Sequence, residues 1–332
     1  MQNPPTSERS ADVSGDASDV VVHSRAVLAH HARTFNLASV FLTPQQRDDA
    51  AVVYSFCRLI DDLIDEAQDP SEGLRQVEEI RAMLDRTVNP TALIAEFLSV
   101  ADRCSIPLYA AKDLIDGVAS DVGPVTFQND DDLIRYGYSV AGTVGLMMCG
   151  VIGVTEDWAL AHAIDLGIGM QITNICRDVM EDAQRGRVYV PAERLYLAGL
   201  SPDDLKQGDF DPTRIAPVVA DLLRLADDYY RSGDHGMRAI PLRPRFAIVA
   251  ASRVYRAIGT QLRMQNYDVT AGRAVVPLWQ KLAWVGASVG HAATAGIKLR
   301  RPHNAALHTP LLESNPNAAV NRPVPLLAAA GS

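Results

Sequence analysis

Residues 171–191 read QITNICRDVMEDAQRGRVYVP, and the fold turns on their arrangement. At ~100° per residue the helical pattern puts Gln171, Asn174, Asp178 and Asp182 on one stripe narrower than roughly a quarter-turn. Ile168, Met170, Ile172, Ile175, Cys176, Val179 and Met180 fill most of the remaining circumference. A surface helix shows the reverse, a narrow apolar stripe and a broad polar face. The pattern therefore predicts a buried helix whose thin file of oxygen-bearing side chains looks into a cavity. Two carboxylates one turn apart can jointly hold a hard divalent cation such as Mg²⁺, which prefers oxygen ligands.

A second such motif lies upstream in residues 54–66, YSFCRLIDDLIDE. Tyr54, Arg58, Asp61 and Asp65 share a narrow arc, with Asp62 at its edge and Val52, Phe56, Leu59 and Leu63 opposite. One D-x-x-x-D helix alone reads as a solvated acidic face. Two of them, each sharing its stripe with uncharged hydrogen-bonding groups, point to a shared metal site, because buried charge is rare unless paired or metal-bound.

The rest of the chain frames these two helices. Of its 332 residues, 48% are hydrophobic and only 6% aromatic, and Gly and Pro punctuate long periodic runs, which favours an all-α protein over a sandwich or barrel. A net charge of −9 argues against nucleic acid as a partner and against a broad basic face on anionic lipid. The four cysteines form no C-x-x-C pair and have apolar neighbours, so they read as reduced and buried, in a cytoplasmic protein. The eight histidines are scattered and indicate no zinc enzyme. No signal peptide and no apolar run of about 18 residues is present, which leaves peripheral contact as the expected relation to membranes.

In chain order, residues 1–20 read as disordered, 21–300 as one catalytic domain and 301–332 as a disordered tail. Thr43-Pro44 predicts the start of the first acidic helix, with Thr43 as N-cap, and Asp69-Pro70 marks its end. Helical patterns follow at about 72–87, 91–104, 107–121, 130–153, 156–183 and 192–199. After a polar linker at 201–214, more come at about 215–236, 245–266 and 275–298. Gly137, Gly142 and Gly145 inside a helical pattern suggest close approach of a neighbour or ligand, or a local break. Gly167 to Ile172 lacks the third glycine of a dinucleotide fingerprint and follows no strand.

Acidic helices facing each other across a cavity could hold Mg²⁺ ions that bind diphosphate oxygens and stabilise a departing pyrophosphate. The carbocation left behind needs apolar walls and excluded water. Beyond that chemistry, the chain resembles a known family, the head-to-head prenyl synthases. The likeness is carried by HARTF (31–35), YSFCRLIDDLIDE (54–66), YGYSVAGTVG (136–145), QITNICRDVMEDAQRGRVYVP (171–191) and NYDVTAGRAVVPLWQKL (266–282).

The resemblance implies an isoprenoid-synthase-type, single-domain helical bundle around a central cavity. It implies that Asp61, Asp65, Asp178 and Asp182 hold Mg²⁺ (Mn²⁺ being able to substitute), aided by Asp62, Asn174 and Glu181. Tyr54 and Arg58 join the catalytic set. Substrate contacts would come from His31, Arg33, Thr34, Tyr136, Gln171, Asn174, Arg177, Arg187, Tyr189 and Tyr255, with Arg185 on a flap beside Arg187. Where the family often has two successive arginines this chain has Gly272-Arg273, leaving Arg273 to take the phosphate role alone.

The implied reaction joins two geranylgeranyl diphosphates through a cyclopropyl diphosphate and ends by proton loss, with no NADPH. The alternative is a C30 synthase acting on two farnesyl diphosphates. A terpene cyclase fits the AGTVG and RGRVYVP segments poorly, and a non-catalytic assembly factor would be expected to have lost aspartates that are intact here. The product would be insoluble in water, so peripheral membrane contact is expected at its release; oligomeric state is left open.

Overall fold

The structure, a computed structural model, describes residues 17–31, 39–67, 69–295 and 301–312. As expected, it is almost entirely helical. Helices α1 (Ala17–His31), α2 (Pro44–Asp65), α3 (Pro70–Leu84), α4 (Ala92–Cys104) and α5 (Leu108–Ala119) form the first part. Helix α6 (Asp130–Gly137) continues through a π-helical turn (Tyr138–Gly142) into α7 (Thr143–Ile152), and the long α8 (Trp158–Gln184) follows. Short helices α9 (Ala192–Leu197) and α10 (Pro202–Gln207) lead to α11 (Pro212–Gly236), α12 (Leu242–Met264), α13 (Leu278–Ala295) and a last turn, α14 (Thr309–Leu312).

Local chemistry sets the helix ends. Thr43 Oγ1 accepts the Gln46 backbone N–H at 3.2 Å and the Gln46 side chain accepts that of Thr43 at 3.2 Å, a capping box with Pro44 in the first turn. Asp69 caps α3 by accepting the Ser71 N–H at 3.0 Å. Ser201 and Asp204 make another capping box at α10, so the polar stretch expected to be a linker holds a short helix.

Helix α8 is the axis of the bundle. Its Ile164, Ile168, Ile172, Ile175 and Cys176 are buried, and it packs along α11 on one flank and α7 on another. Close approach to α7 and to the π-helical turn before it depends on glycine. A Cβ on Gly145 would lie 2.5 Å from the Ala163 carbonyl oxygen, and one on Gly167 would lie 2.3 Å from that of Ala141. The small residues thus permit backbone contact, and the π-helical turn beside them is the local break. Elsewhere, Phe56 of α2 and Phe97 of α4 stack at 4.0 Å between ring centroids, both fully buried. Burying each contributes about 1.5–3 kcal/mol.

Two short segments close the fold. Val125–Thr126 (β1) pairs in parallel with Arg187–Val188 (β2), tying the chain after α8 to the chain after α5. Residues 301–312, within the stretch expected to be a disordered tail, form a 3₁₀ turn and α14 and pack on the bundle. Arg135 donates to the Pro310 carbonyl at 3.1 Å, and the Tyr229 hydroxyl donates to that of Leu307 at 2.8 Å. Helix α1 likewise begins at Ala17, inside the expected disordered segment, while residues 1–16 and 313–332 lie outside the described ones. Among the described residues no helix is long and apolar enough to cross a membrane.

Candidate active site

Helices α2 and α8 bring both aspartate motifs to one cavity of about 320 Å³. Its wall takes Arg58, Asp61 and Asp65 from α2, and Gln171, Asn174, Ile175, Arg177, Asp178 and Asp182 from α8. Tyr136 comes from α6, Val140 from the π-helical turn, and Arg185, Arg187 and Tyr189 from the segment that follows α8. Val118 of α5 and Asp121 just beyond it complete the lining.

Other expected residues stand behind this wall. Asp62 ion-pairs with Arg58 one turn back rather than lining the cavity. Arg273 grips Asp178 through Nε at 2.9 Å and Nη2 at 3.2 Å, and approaches Glu181 at 3.9 Å. Tyr54 lies within electrostatic reach of Arg58, Tyr255 and Asp61, and burial pushes its hydroxyl up to about 12. Tyr255, on α12, is raised by burial too, and Arg177, Asp178 and Arg273 act on it electrostatically. The His31 side chain, Arg33 and Thr34 lie outside the described residues.

Arginines and aspartates share the cavity in nearly equal number, and not every carboxylate has a partner. Arg187 binds Asp65 at 2.8 Å with Arg185 at 3.9 Å, and Arg177 binds Asp178 in a fork at 2.8 and 2.5 Å. Asp61 and Asp182 make no ion pair among the described residues. Both carboxyls are pushed up to about 7. Burial is the main cause; Arg58 pulls Asp61 back while Asp65 and Asp62 add to the rise, and Asp178 raises Asp182 against Arg185 and Arg187.

Such crowded, desolvated carboxylates fit a hard divalent cation. The donor set is all oxygen, and the Asn174 Oδ1 is buried with no hydrogen-bond partner. Asn174 Nδ2 donates to Gln171 Oε1 at 3.4 Å, which leaves that carbonyl oxygen for another ligand.

Asp121 was not among the expected site residues. It accepts the Tyr136 hydroxyl at 2.6 Å and the Tyr189 hydroxyl at 2.8 Å, one on each carboxylate oxygen. The two rings stack at 4.8 Å, and Phe127 packs 5.3 Å from each. Burial raises the Asp121 carboxyl, and the two hydroxyls pull it back. Its only signal in the sequence is a carboxylate between an apolar helix and the Gly123-Pro124 turn.

The sequence profile of the squalene/phytoene synthase family matches residues 28–280. A 15-cis-phytoene synthase of Paracoccus sp. is 37% identical over 309 residues, covering 87% of this chain and all of that relative. A phytoene synthase of Thermus thermophilus is 37% identical over 258 residues, 77% of this chain and 87% of its own. The crystal structure of a dehydrosqualene synthase in complex with a ligand aligns with TM-score 0.77 and 25% identity, covering 84% of this chain and 98% of its own. A profile across that span, and relatives matched over nearly their whole length, place the protein in the squalene/phytoene synthase family.

Proposed function

We propose that this protein is a prenyltransferase of carotenoid biosynthesis that condenses two geranylgeranyl diphosphates head to head into phytoene and releases two diphosphates. The observation that carries the reading is the meeting of Asp61 and Asp65 with Asp178 and Asp182 at one cavity, whose wall also includes Val118, Val140 and Ile175. The phytoene synthases among its relatives support the choice of substrate. We take residues 21–300 as the single catalytic unit.

When bound, Mg²⁺ held by the four aspartates with Asn174 supplies positive charge to the diphosphate oxygens. The chain's own residues do the rest. Arg58, Arg177 and Arg187, now paired with aspartates, can turn their guanidiniums to diphosphate oxygens. This neutralises charge on the leaving group as the first C1–O bond breaks. The C1 cation adds to the C2=C3 bond of the second substrate, and a proton leaves to close the cyclopropane. Loss of the second diphosphate, rearrangement and a last proton loss give a linear C40 hydrocarbon with a conjugated triene at its centre, so two substrates yield one hydrocarbon and two diphosphates. Val118, Val140 and Ile175 keep water from the cations, while the stacked Tyr136 and Tyr189, fixed by Asp121, present ring faces that attract positive charge.

A C30 reading, with farnesyl diphosphate as substrate, is favoured by one observation, the likeness to a dehydrosqualene synthase structure. Peripheral membrane contact is supported by Val275 and by Leu278, Trp279 and Leu282 of α13, each more than half exposed, and a cytoplasmic setting by four free cysteines. The test is incubation of purified protein with Mg²⁺ and either prenyl diphosphate, without NADPH, followed by identification of the hydrocarbon. Phytoene from geranylgeranyl diphosphate, at a rate NADPH does not alter and abolished by chelation, is expected. A C30 product made in preference, or a product that requires NADPH, would overturn the assignment.

A further inference from the structure

A second polar cluster lies outside the cavity, where the C-terminal segment meets the bundle. Asp165 of α8 has no solvent exposure. His303 Nε2 lies 2.7 Å from its Oδ2 and His308 Nε2 lies 2.7 Å from its Oδ1. Ser232 of α11 donates to Oδ2 as well, and its oxygen is 2.8 Å from His162 Nδ1. The histidine side chains at 303 and 308 are 3% and 1% exposed. The His162 ring stands 5.3 Å from that of His303, and its Nε2 is buried without a partner.

A buried carboxylate needs a compensating positive charge. Among the described residues no lysine or arginine pairs with Asp165; only the two imidazoles do. The charge is then either a proton on the cluster or a metal ion at its centre. One ligand atom from each of Asp165, His303 and His308 lies within 4.8 Å of the others, close enough for a single ion to reach all three. Two imidazoles and one carboxylate form a nitrogen-rich set that suits Zn²⁺ and similar borderline ions, whereas Mg²⁺ selects oxygen.

We propose that Asp165, His303 and His308 form a structural site for a Zn²⁺-class ion, separate from the aspartate cavity, with water completing the coordination. Two of its ligands come from residues 301–312 and the third from α8. The ion therefore staples the C-terminal segment to the helix that carries Asp178 and Asp182. The proposal does not depend on which prenyl diphosphate the enzyme uses.

The test uses the full chain in excess Mg²⁺, which keeps the aspartate cavity supplied, titrated with Co²⁺ and then Zn²⁺. Wild-type protein is expected to take up one Co²⁺ per chain with visible bands of a nitrogen-ligated ion, displaced by Zn²⁺, and to gain thermal stability with Zn²⁺. In His303→Ala and in His308→Ala, which alter only the terminal segment, the bands should be lost and Zn²⁺ affinity should fall at least about tenfold. Condensation activity in Mg²⁺ alone shows that each variant is folded. Should both fail to fold, the wild-type Co²⁺ spectrum decides, because bands of oxygen ligation only would place the ion elsewhere and overturn the proposal. Absence of bands in the wild type, or equal affinity in wild type and variants, overturns the proposal and leaves a proton on the imidazoles as the charge facing Asp165.

Discussion

Gly167→Ala tests whether backbone contact between α8 and the π-helical turn ahead of α7 sets the geometry of the cavity. The new Cβ would stand 2.3 Å from the Ala141 carbonyl oxygen and 2.7 Å from the Gly142 nitrogen, where ordinary contact begins at 3.4 Å. Both are backbone atoms, so no side chain can rotate away and the helices must separate by roughly 1 Å. Overpacking of this kind costs about 1–3 kcal/mol, and contact with backbone on two sides argues for the upper end. Alanine returns about 1 kcal/mol through its better helix propensity. The net loss is therefore about 2 kcal/mol, a fall in Tm of about 3 °C for a chain of 332 residues. Turnover should fall too, because Val140 and Gln171 sit on the two elements being pushed apart. Thermal unfolding followed by circular dichroism reads the first effect, and hydrocarbon formation the second. Gly286 on α13 is the control, since a Cβ there meets nothing within 4 Å, and Gly286→Ala should be neutral or raise Tm. A Gly167→Ala protein as stable and active as the wild type would refute the close-approach argument.

Asp61→Ala and Asp178→Ala should each lower turnover by at least about a hundredfold, with circular dichroism unchanged; folded variants with normal rates would end the site assignment. Asp121→Ala strips the acceptor from two buried tyrosine hydroxyls. It should cost about 1–3 kcal/mol and reduce turnover, whereas Asp121→Asn keeps one acceptor and should lie between; unchanged Tm and rate in both would show the tyrosines are fixed by packing alone. Burial pushes the Cys149 and Cys176 thiols up to about 12 from 9.0. The folded chain thus keeps protons that the unfolded chain releases, so this contribution to stability is complete below pH 9 and is lost as pH rises from 9 toward 12. Denaturant midpoints across that range should fall less in a Cys149→Ala/Cys176→Ala variant, and an identical decline would contradict it.

The parts of the site that lie on regular helices were legible because a helical period of about 3.6 residues projects chemistry onto a face. Gln171, Asn174, Asp178 and Asp182 do line one cavity with Asp61 and Asp65. The capping box at Thr43 was equally local and equally readable. Asp121 escaped because it follows α5 in a loop, where no periodicity says which way a side chain points. The Asp165 cluster escaped for a different reason: its histidines are 138 and 143 residues away in sequence, and only tertiary packing brings them together. The helix at 202–207 was missed although Ser201 and Asp204 carried its signal, because six residues are too few to show a period.

The parallel bridge between Val125–Thr126 and Arg187–Val188 bears on the order in which the protein assembles. Its two halves are separated by everything from α6 to α8, so it closes only after those helices have formed and docked. Asp121 and Tyr136 flank one half, and Tyr189 immediately follows the other, so the hydroxyl contacts to Asp121 join at the same moment. Helical signal should accordingly return early in refolding, while the chamber is completed by a late, long-range closure. A chain caught before that step is a helical bundle without its enzyme.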